Sequence, residues 1–590
     1  MLASYVLSRT LVPTMALYLL KAKHHDAEQS RNPFVWFQRG FEKQFERFRF
    51  GYRDALVVLV RRRTVLVPCF LVACVSVFAL IPWLGQDFFP STDSGQFILH
   101  MRAKTGTRIE ETARLADLVE TEIRKIIPRR DMGTIFDNIG LPYSGMNLTH
   151  ETSGVIGAAD ADIMVSLKPD HQPTADYVKT IRRSLAGSFP GVTFYTLPAD
   201  MITQILNFGL PSPIDIQING ADIDANHAVA DRILDQIRSV PGIVDARIQQ
   251  KFDYPVFQVN VDRTKAQQNG LAESDVASTV LDTLSGSFQT APMFFLNRRN
   301  GVNYSFAAQA PQYDIQSLQD LQNLPVTGPA ARTPAILDDV ATIARSQEMA
   351  AVDHYNIRRV VDVYANVQGR DLGAVGREVA RIVDANRHLL PRGSFVSIRG
   401  QVETMQGAYM DLLEGLGFSI LFVYLLIVIN FQSWLDPFII ITALPAALAG
   451  IILFLFFTGT TLSVPALMGA IMCMGVATAN SILVVSFARE RLARHGDPVR
   501  ASIEAGFTRF RPVLMTALAM IIGMVPMALG FGEGGEQNAP LGRAVIGGLA
   551  LATIATLGLV PLVFSLLHTK RGAAKPPGPA AASANPNHAA

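Results

Sequence analysis

The sequence predicts an α-helical membrane bundle joined to a large α+β region of ferredoxin-like, split βαβ subdomains. Three observations carry that reading. Apolar runs long enough to cross a bilayer stand on both sides of the chain's middle. Residues 85–407, between those runs, are polar, rich in turns, and alternate strand with helix signals. Lysines and arginines collect at one end of the apolar runs, as positive-inside segments do.

Residues 1–20, MLASYVLSRTLVPTMALYLL, read as the end of a transmembrane helix, interrupted by Ser8, Arg9 and Pro13. Lys21, Lys23, His24 and His25 follow as an inside flank. Within residues 21–63, Phe37, Phe41, Phe45 and Phe48 recur at steps of four, four and three among Arg, Lys and Glu. That spacing predicts a cytoplasmic amphipathic helix lying on the membrane surface. Arg61 to Arg63 then mark the inner start of a span over residues 64–84.

Residues 85–210 read as a first βαββαβ unit: FILHMRAK, a helix from Arg108, GTIFDNIG, ADIMVSLK, a helix from Thr174, and VTFYTL. A second unit comprises residues 211–254 and 350–407, opening on IDIQING and closing on FVSIRG. It is interrupted by an inserted subdomain over residues 255–349. Five more spans fill residues 408–567, and residues 568–590, rich in Ala and Pro, read as a disordered tail. Threading the spans places residues 85–407 outside and both ends of the chain inside.

The span Val464–Ala488 carries no charge, yet Thr478, Asn480, Ser481 and Ser486 lie within it. Polar groups in hydrocarbon need partners, so this helix is expected to face a bundle. Polar glue between helices is an equally good reading of those four residues.

Composition removes several function classes. With 590 residues and 34 Phe the chain is too long for one domain and suits a membrane protein. Lys and Arg number 52 against 50 Asp and Glu, so no basic footprint for nucleic acid exists. Cys69, Cys74 and Cys473 lie in apolar runs, which excludes a disulfide framework or a CxxC zinc site. No HExxH or GxxxxGK[ST] motif occurs and no nucleophile–base constellation stands out, so catalytic residues are none and an enzyme is not expected. A pump without a nucleotide site needs an ion gradient and no cofactor.

Four stretches resemble the C-terminal half of resistance–nodulation–division (RND) efflux permeases, of the acriflavine-resistance, hydrophobe-exporting type. They are GQDFFPSTDSG (85–95), FQSWLDPFIIITALPAALAG (431–450), GVATANSILVVSFARER (475–491) and RFRPVLMTALAMIIGMVPMALG (509–530). The resemblance implies an RND transporter half, with residues 1–20 as a remnant of the other half. It implies a proton-driven exporter of the bacterial inner membrane whose proton-carrying acids lie in the N-terminal half. The partners implied are that half, a homotrimer, a periplasmic adaptor (membrane fusion) protein, an outer-membrane channel and the lipid bilayer. A truncated, non-transporting remnant, or a half exporting metal ions or lipids, are the alternatives.

A search for membrane acids agrees with that division. Asp411 and Glu414 sit at the edge of the first of the five spans, and no Asp, Glu, His or Lys lies deep in the others. By the resemblance, Asn480, Arg509 and Thr516 are partners in a proton relay. Arg509 and Thr516 are seven residues apart, hence on one helical face; a positive-inside anchor is the other reading of Arg509. Many family members carry a relay lysine immediately before the asparagine, and here that position is Ala479. The resemblance places substrate capture between the two βαββαβ units, at the loop 140–157 with Tyr143 and Met146, and gives the insert a docking role. Met132, Met146 and Met164 show no spacing that demands a metal site, so metal ligands are none.

Overall fold

The computed structural model describes residues 2–19, 33–141, 154–532 and 534–569. They form two compact units, residues 1–91 with 406–590, and residues 92–405. The composition changes at Gly85 and Gly407, a few residues from these divisions.

The helical unit opens with two short helices, α1 (Leu2–Arg9) and α2 (Leu11–Leu19), where the sequence suggested one interrupted run. Helix α3 (Pro33–Arg61) is a single 29-residue element. It leads into α4 (Arg63–Val77), which continues as a 3₁₀ turn to Trp83.

The α+β unit begins with β1 (Gln96–Arg102), α5 (Ile109–Ile126), β2 (Met132–Ile139), β3 (Asp160–Leu167), α6 (Thr174–Ser188) and β4 (Thr193–Leu197). The strands form one antiparallel sheet in the order β2-β3-β1-β4. Period-two alternation turns Phe97, Leu99 and Met101 toward the helices, with Ala161, Ile163 and Val165 beside them. Helix α5 answers with Ala116, Val119 and Ile123, and α6 with Tyr177, Ile181 and Leu185. Each large apolar side chain so buried contributes about 1.5–3 kcal/mol.

The rest of the unit runs through β5 (Ile214–Asn219), α7 (Ile223–Ile237), β6 (Ile243–Ile248), β7 (Tyr254–Val261), α8 (Glu273–Ser285), the hairpin β8 (Met293–Asn297) and β9 (Val302–Phe306), and β10 (Ala341–Glu348). It is completed by β11 (Asp353–Tyr355), β12 (Arg358–Val367), α9 (Leu372–Asn386) and β13 (Phe395–Gly400). Of these, β11, β12, β5 and β13 form the second sheet in that order, with β6 also paired to β12. Strands β7 and β10 pair from Tyr254↔Glu348 to Val261↔Ala341 and close off the insert. The insert has its own core around Leu271, Val276, Leu324, Val326, Leu337 and Val340. Its hairpin leaves Phe294, Phe295 and Phe306 more than half exposed.

The remaining helices are α10 (Gln401–Phe431), α11 (Leu435–Ile441), α12 (Leu444–Phe457), α13 (Val464–His495), α14 (Pro498–Ala528), α15 (Ala539–Leu557) and α16 (Leu559–Thr569). Among the described residues, six helical stretches are long and apolar enough to cross a membrane: 63–83, 401–431, 435–457, 464–495, 498–528 and 539–569. Two of them are broken, at Thr442–Ala443 and at Gly558. Pro445 and Pro561 follow these breaks, where a missing N–H costs least.

Within this unit, 435–457, 464–495 and 539–569 are largely buried, while 63–83, 401–431 and 498–528 are mostly exposed along their lengths. Helix α15 packs on α12, α13 and α14. Glycines make the closest of these contacts possible. A Cβ added to Gly547 would lie 2.2 Å from the Cβ of Phe454 and 2.6 Å from the Gly450 carbonyl.

Candidate functional site

Asn480 is buried on α13, whose capless start at Ser463 and left-handed stop at Gly496 enclose nine turns of helix. The same helix buries Thr478 and Ser481, and the Ser481 hydroxyl lies 2.9 Å from that of Thr556 on α15. The polar-glue reading therefore holds for Ser481. Arg509, on α14, stacks its guanidinium 5.0 Å from the ring centroid of Phe487 on α13, and its Nε is buried without a hydrogen bond. Thr516 is exposed, and its hydroxyl donates to the Pro512 carbonyl of its own helix at 2.9 Å. No hydrogen bond among the described residues joins Asn480 to Thr516. Met515, Leu518 and Ile522 share the exposure of Thr516, so this helix presents an uncovered, mainly apolar surface. Asp411 and Glu414 are exposed on α10.

Two charged clusters at the ends of the bundle escaped the sequence reading. Asp436 is buried at the start of α11, with Arg489 Nη1 at 3.5 Å and His568 Nε2 at 3.4 Å. It ties the ends of α13 and α16 to the turn before α11, where Arg489 also donates to the Phe431 carbonyl at 2.7 Å. Arg543 donates to the Ala528 carbonyl at 2.9 Å and to the Thr460 hydroxyl at 2.6 Å. Neither cluster has a sequence motif, because its members come from separate helices.

In the α+β unit the helix-free faces of both sheets carry buried polar and charged side chains. His100 Nδ1 lies 2.6 Å from an Asp162 oxygen, and Arg102 Nε donates to Asp160 at 2.7 Å. Burial alone would raise the Asp160 carboxyl, but His100 and Arg102 hold it below the usual carboxylate range. The guanidinium of Arg247, from β6, stacks 3.6 Å from the centroid of Tyr195 on β4. Arg182 of α6 grips Asp245 at 2.7 and 2.8 Å. The Arg247 and Arg182 contacts join the two sheets.

Deeper in the second sheet, Asp215 and Asp362 occupy one face across β5 and β12, since Asp362 pairs with Gln217 and Tyr364 with Asp215. Both are buried, and each keeps one carboxylate oxygen without a hydrogen bond. Gln250 donates to Asp362 at 2.8 Å and to Asp353 at 2.6 Å. Burial, reinforced by Asp353, pushes the Asp362 carboxyl up to about 7. Burial and then the Asp362 charge hold Asp215 well above its ordinary range.

Tyr143 and Met146 lie outside the described residues. Met132 packs into the core of the first sheet, whereas Met164 is exposed on its opposite face, so these two do not converge. No group of three or more His, Cys, Asp or Glu suited to a metal ion occurs among the described residues.

The family model of the AcrB/AcrD/AcrF family matches residues 1–568. The chain belongs to that family of RND permeases. Its members are transporters rather than enzymes. It is 27% identical over 583 residues to the cobalt-zinc-cadmium resistance protein CzcA of Cupriavidus metallidurans, covering 97% of this chain and 52% of that protein. The nickel and cobalt resistance protein CnrA of the same organism is 28% identical over 591 residues, covering 99% and 52%. The multidrug resistance protein MdtF of Escherichia coli is 25% identical over 583 residues, covering 96% and 53%. A crystal structure of a heavy metal efflux pump superposes with a TM-score of 0.75 at 25% identity, covering 89% of this chain and 53% of that one. The chain spans about half the length of the curated relatives it matches.

Proposed function

We propose that this chain is one half of a proton-driven RND efflux permease of the bacterial inner membrane. The observation that carries the proposal is the family match over residues 1–568. In this reading a second six-span half covers the exposed surface of α14 and brings the protonatable acids to Arg509, Thr516 and Asn480. Ala479 leaves the relay without a lysine, so Arg509 is the cation nearest to those acids. The two sheets of the α+β unit are ferredoxin-like subdomains in the periplasm, with cargo captured between them near residues 140–157. The insert, with its exposed hairpin, docks an outer-membrane channel or a periplasmic adaptor, and the working assembly is a trimer.

Two cargo classes are supported by separate observations. Transition-metal cations are favoured by the relatives named for cobalt, zinc, cadmium and nickel resistance. Hydrophobic compounds are supported by MdtF and by the 475–491 motif. The test is to produce the chain with its second half in an efflux-deficient strain and measure tolerance to cobalt, zinc and nickel salts and to cationic dyes. A gain in tolerance to metals alone selects the first class, and to dyes alone the second. No gain in either, with both halves present in the membrane, contradicts an exporter.

A further inference from the structure

Among the described residues, helix α3 is fastened to the bundle along one edge. The Tyr52 hydroxyl donates to the Leu557 carbonyl at 2.8 Å, and its ring stacks 4.5 Å from Phe510 on α14. Arg49 donates to the Phe507 carbonyl at 3.1 Å. Gly506 explains why the two helices come so close: a Cβ there would meet Tyr52 Oη at 2.6 Å and Leu56 at 2.8 Å.

Beside this seam runs a groove of about 840 Å³, walled by Phe41, Phe45, Phe48, Tyr52 and Phe510. Its volume lies within the range of small-molecule sites, about 300–1,000 Å³. Phe41 and Phe48 are 62% and 61% exposed, so nothing in the described chain covers them. Gly51 also lines the groove. A glycine inside a helix is destabilising relative to alanine and usually permits a close approach, as Gly506 does. Gly51 does not: a Cβ added there meets nothing within 4 Å. Its bareness keeps the groove open instead.

The charges around the groove are uneven. Glu42 is matched by Arg511 at 3.6 Å and Glu46 by Arg49 at 3.1 Å. Arg511 also lies 5.6 Å from the Phe45 ring. Arg47 lines the groove and has no ion-pair or hydrogen-bond partner among the described residues. An aromatic trough with one spare guanidinium at its rim suits an amphiphile with an apolar tail and an anionic head.

We propose that this groove binds an anionic glycerophospholipid of the surrounding membrane, one acyl chain passing over Gly51 and the phosphate meeting Arg47. Arginine binds phosphate through paired N–H donors, which a zwitterionic headgroup engages less well because its own ammonium competes. The site does not depend on which cargo the protein exports.

The full chain, purified in detergent and stripped of lipid, is titrated with phosphatidylglycerol or phosphatidylcholine and bound lipid is read by native mass spectrometry. Wild type is expected to favour phosphatidylglycerol about tenfold, the scale of one charge-assisted contact. Arg47→Gln abolishes that preference, leaving the binding of phosphatidylcholine unchanged. Gly51→Leu fills the groove and lowers the binding of both lipids, whereas Gly51→Ala, which leaves room, binds as wild type. Thermal melts of the variants at or above that of wild type show that α3 is intact. Equal affinity of wild type for the two lipids, or unchanged phosphatidylglycerol binding in either Arg47→Gln or Gly51→Leu, overturns the proposal.

Discussion

Gly547 and Asp362 show how much single positions decide. At Gly547 a side chain has nowhere to go, because Phe454 and the Gly450 carbonyl already occupy its space. Gly547→Leu is expected to push α12 from α15 and destabilise the bundle by about 1–3 kcal/mol or more, seen as a lower melting temperature in detergent. At Asp362 the folded carboxyl titrates at about 7, whereas an unfolded one titrates near about 3.9. Between those values the folded chain holds a proton that the unfolded chain has released. Stability therefore falls as pH rises from about 4 to about 7. Asp362→Asn keeps an acceptor for Gln250 and removes the proton, so its melting temperature should change less across that window and exceed that of wild type at about pH 8. Melting curves of the full chain against pH check both statements. None of this was legible in the residues alone, because Asp362 becomes buried beside Asp353 and near Asp215 only through the pairing of β11, β12 and β5.

Helices and strands were more legible than contacts. The alternation in FILHMRAK and ADIMVSLK reappears as β1 and β3, and the apolar spacing behind Glu111 as α5, since both periods are properties of the local chain. The breaks at Thr442–Ala443 and Gly558 were missed because apolar composition continues through them. On α14 the period predicts one face for Arg509 and Thr516, but the residues alone do not say that Thr516 is exposed with its hydroxyl bonded to the Pro512 carbonyl. That geometry makes a sharp prediction. Thr516→Ala should change stability by no more than about 0.5 kcal/mol, as exposed substitutions do. Yet transport by the complete pump should fall roughly tenfold if the hydroxyl turns to a partner carboxylate, as loss of one charged hydrogen bond would require. Melting curves and cargo efflux from cells, measured on the same variant, separate the two effects.

For the whole molecule, order of motifs was the strongest signal. Four stretches spread from Gly85 to Gly530 point to one family, and the family match over residues 1–568 agrees. Cargo was not legible, since the relatives divide between metal and multidrug resistance while sharing the same framework. In the proposed assembly, α14 meets an acid-bearing second half on the surface around Thr516. A photo-crosslinking amino acid placed at position 516, activated in native membranes, tests it directly. The expected product is a covalent adduct with a membrane helix carrying aspartates, identified by mass spectrometry. Adducts with lipid alone would contradict it.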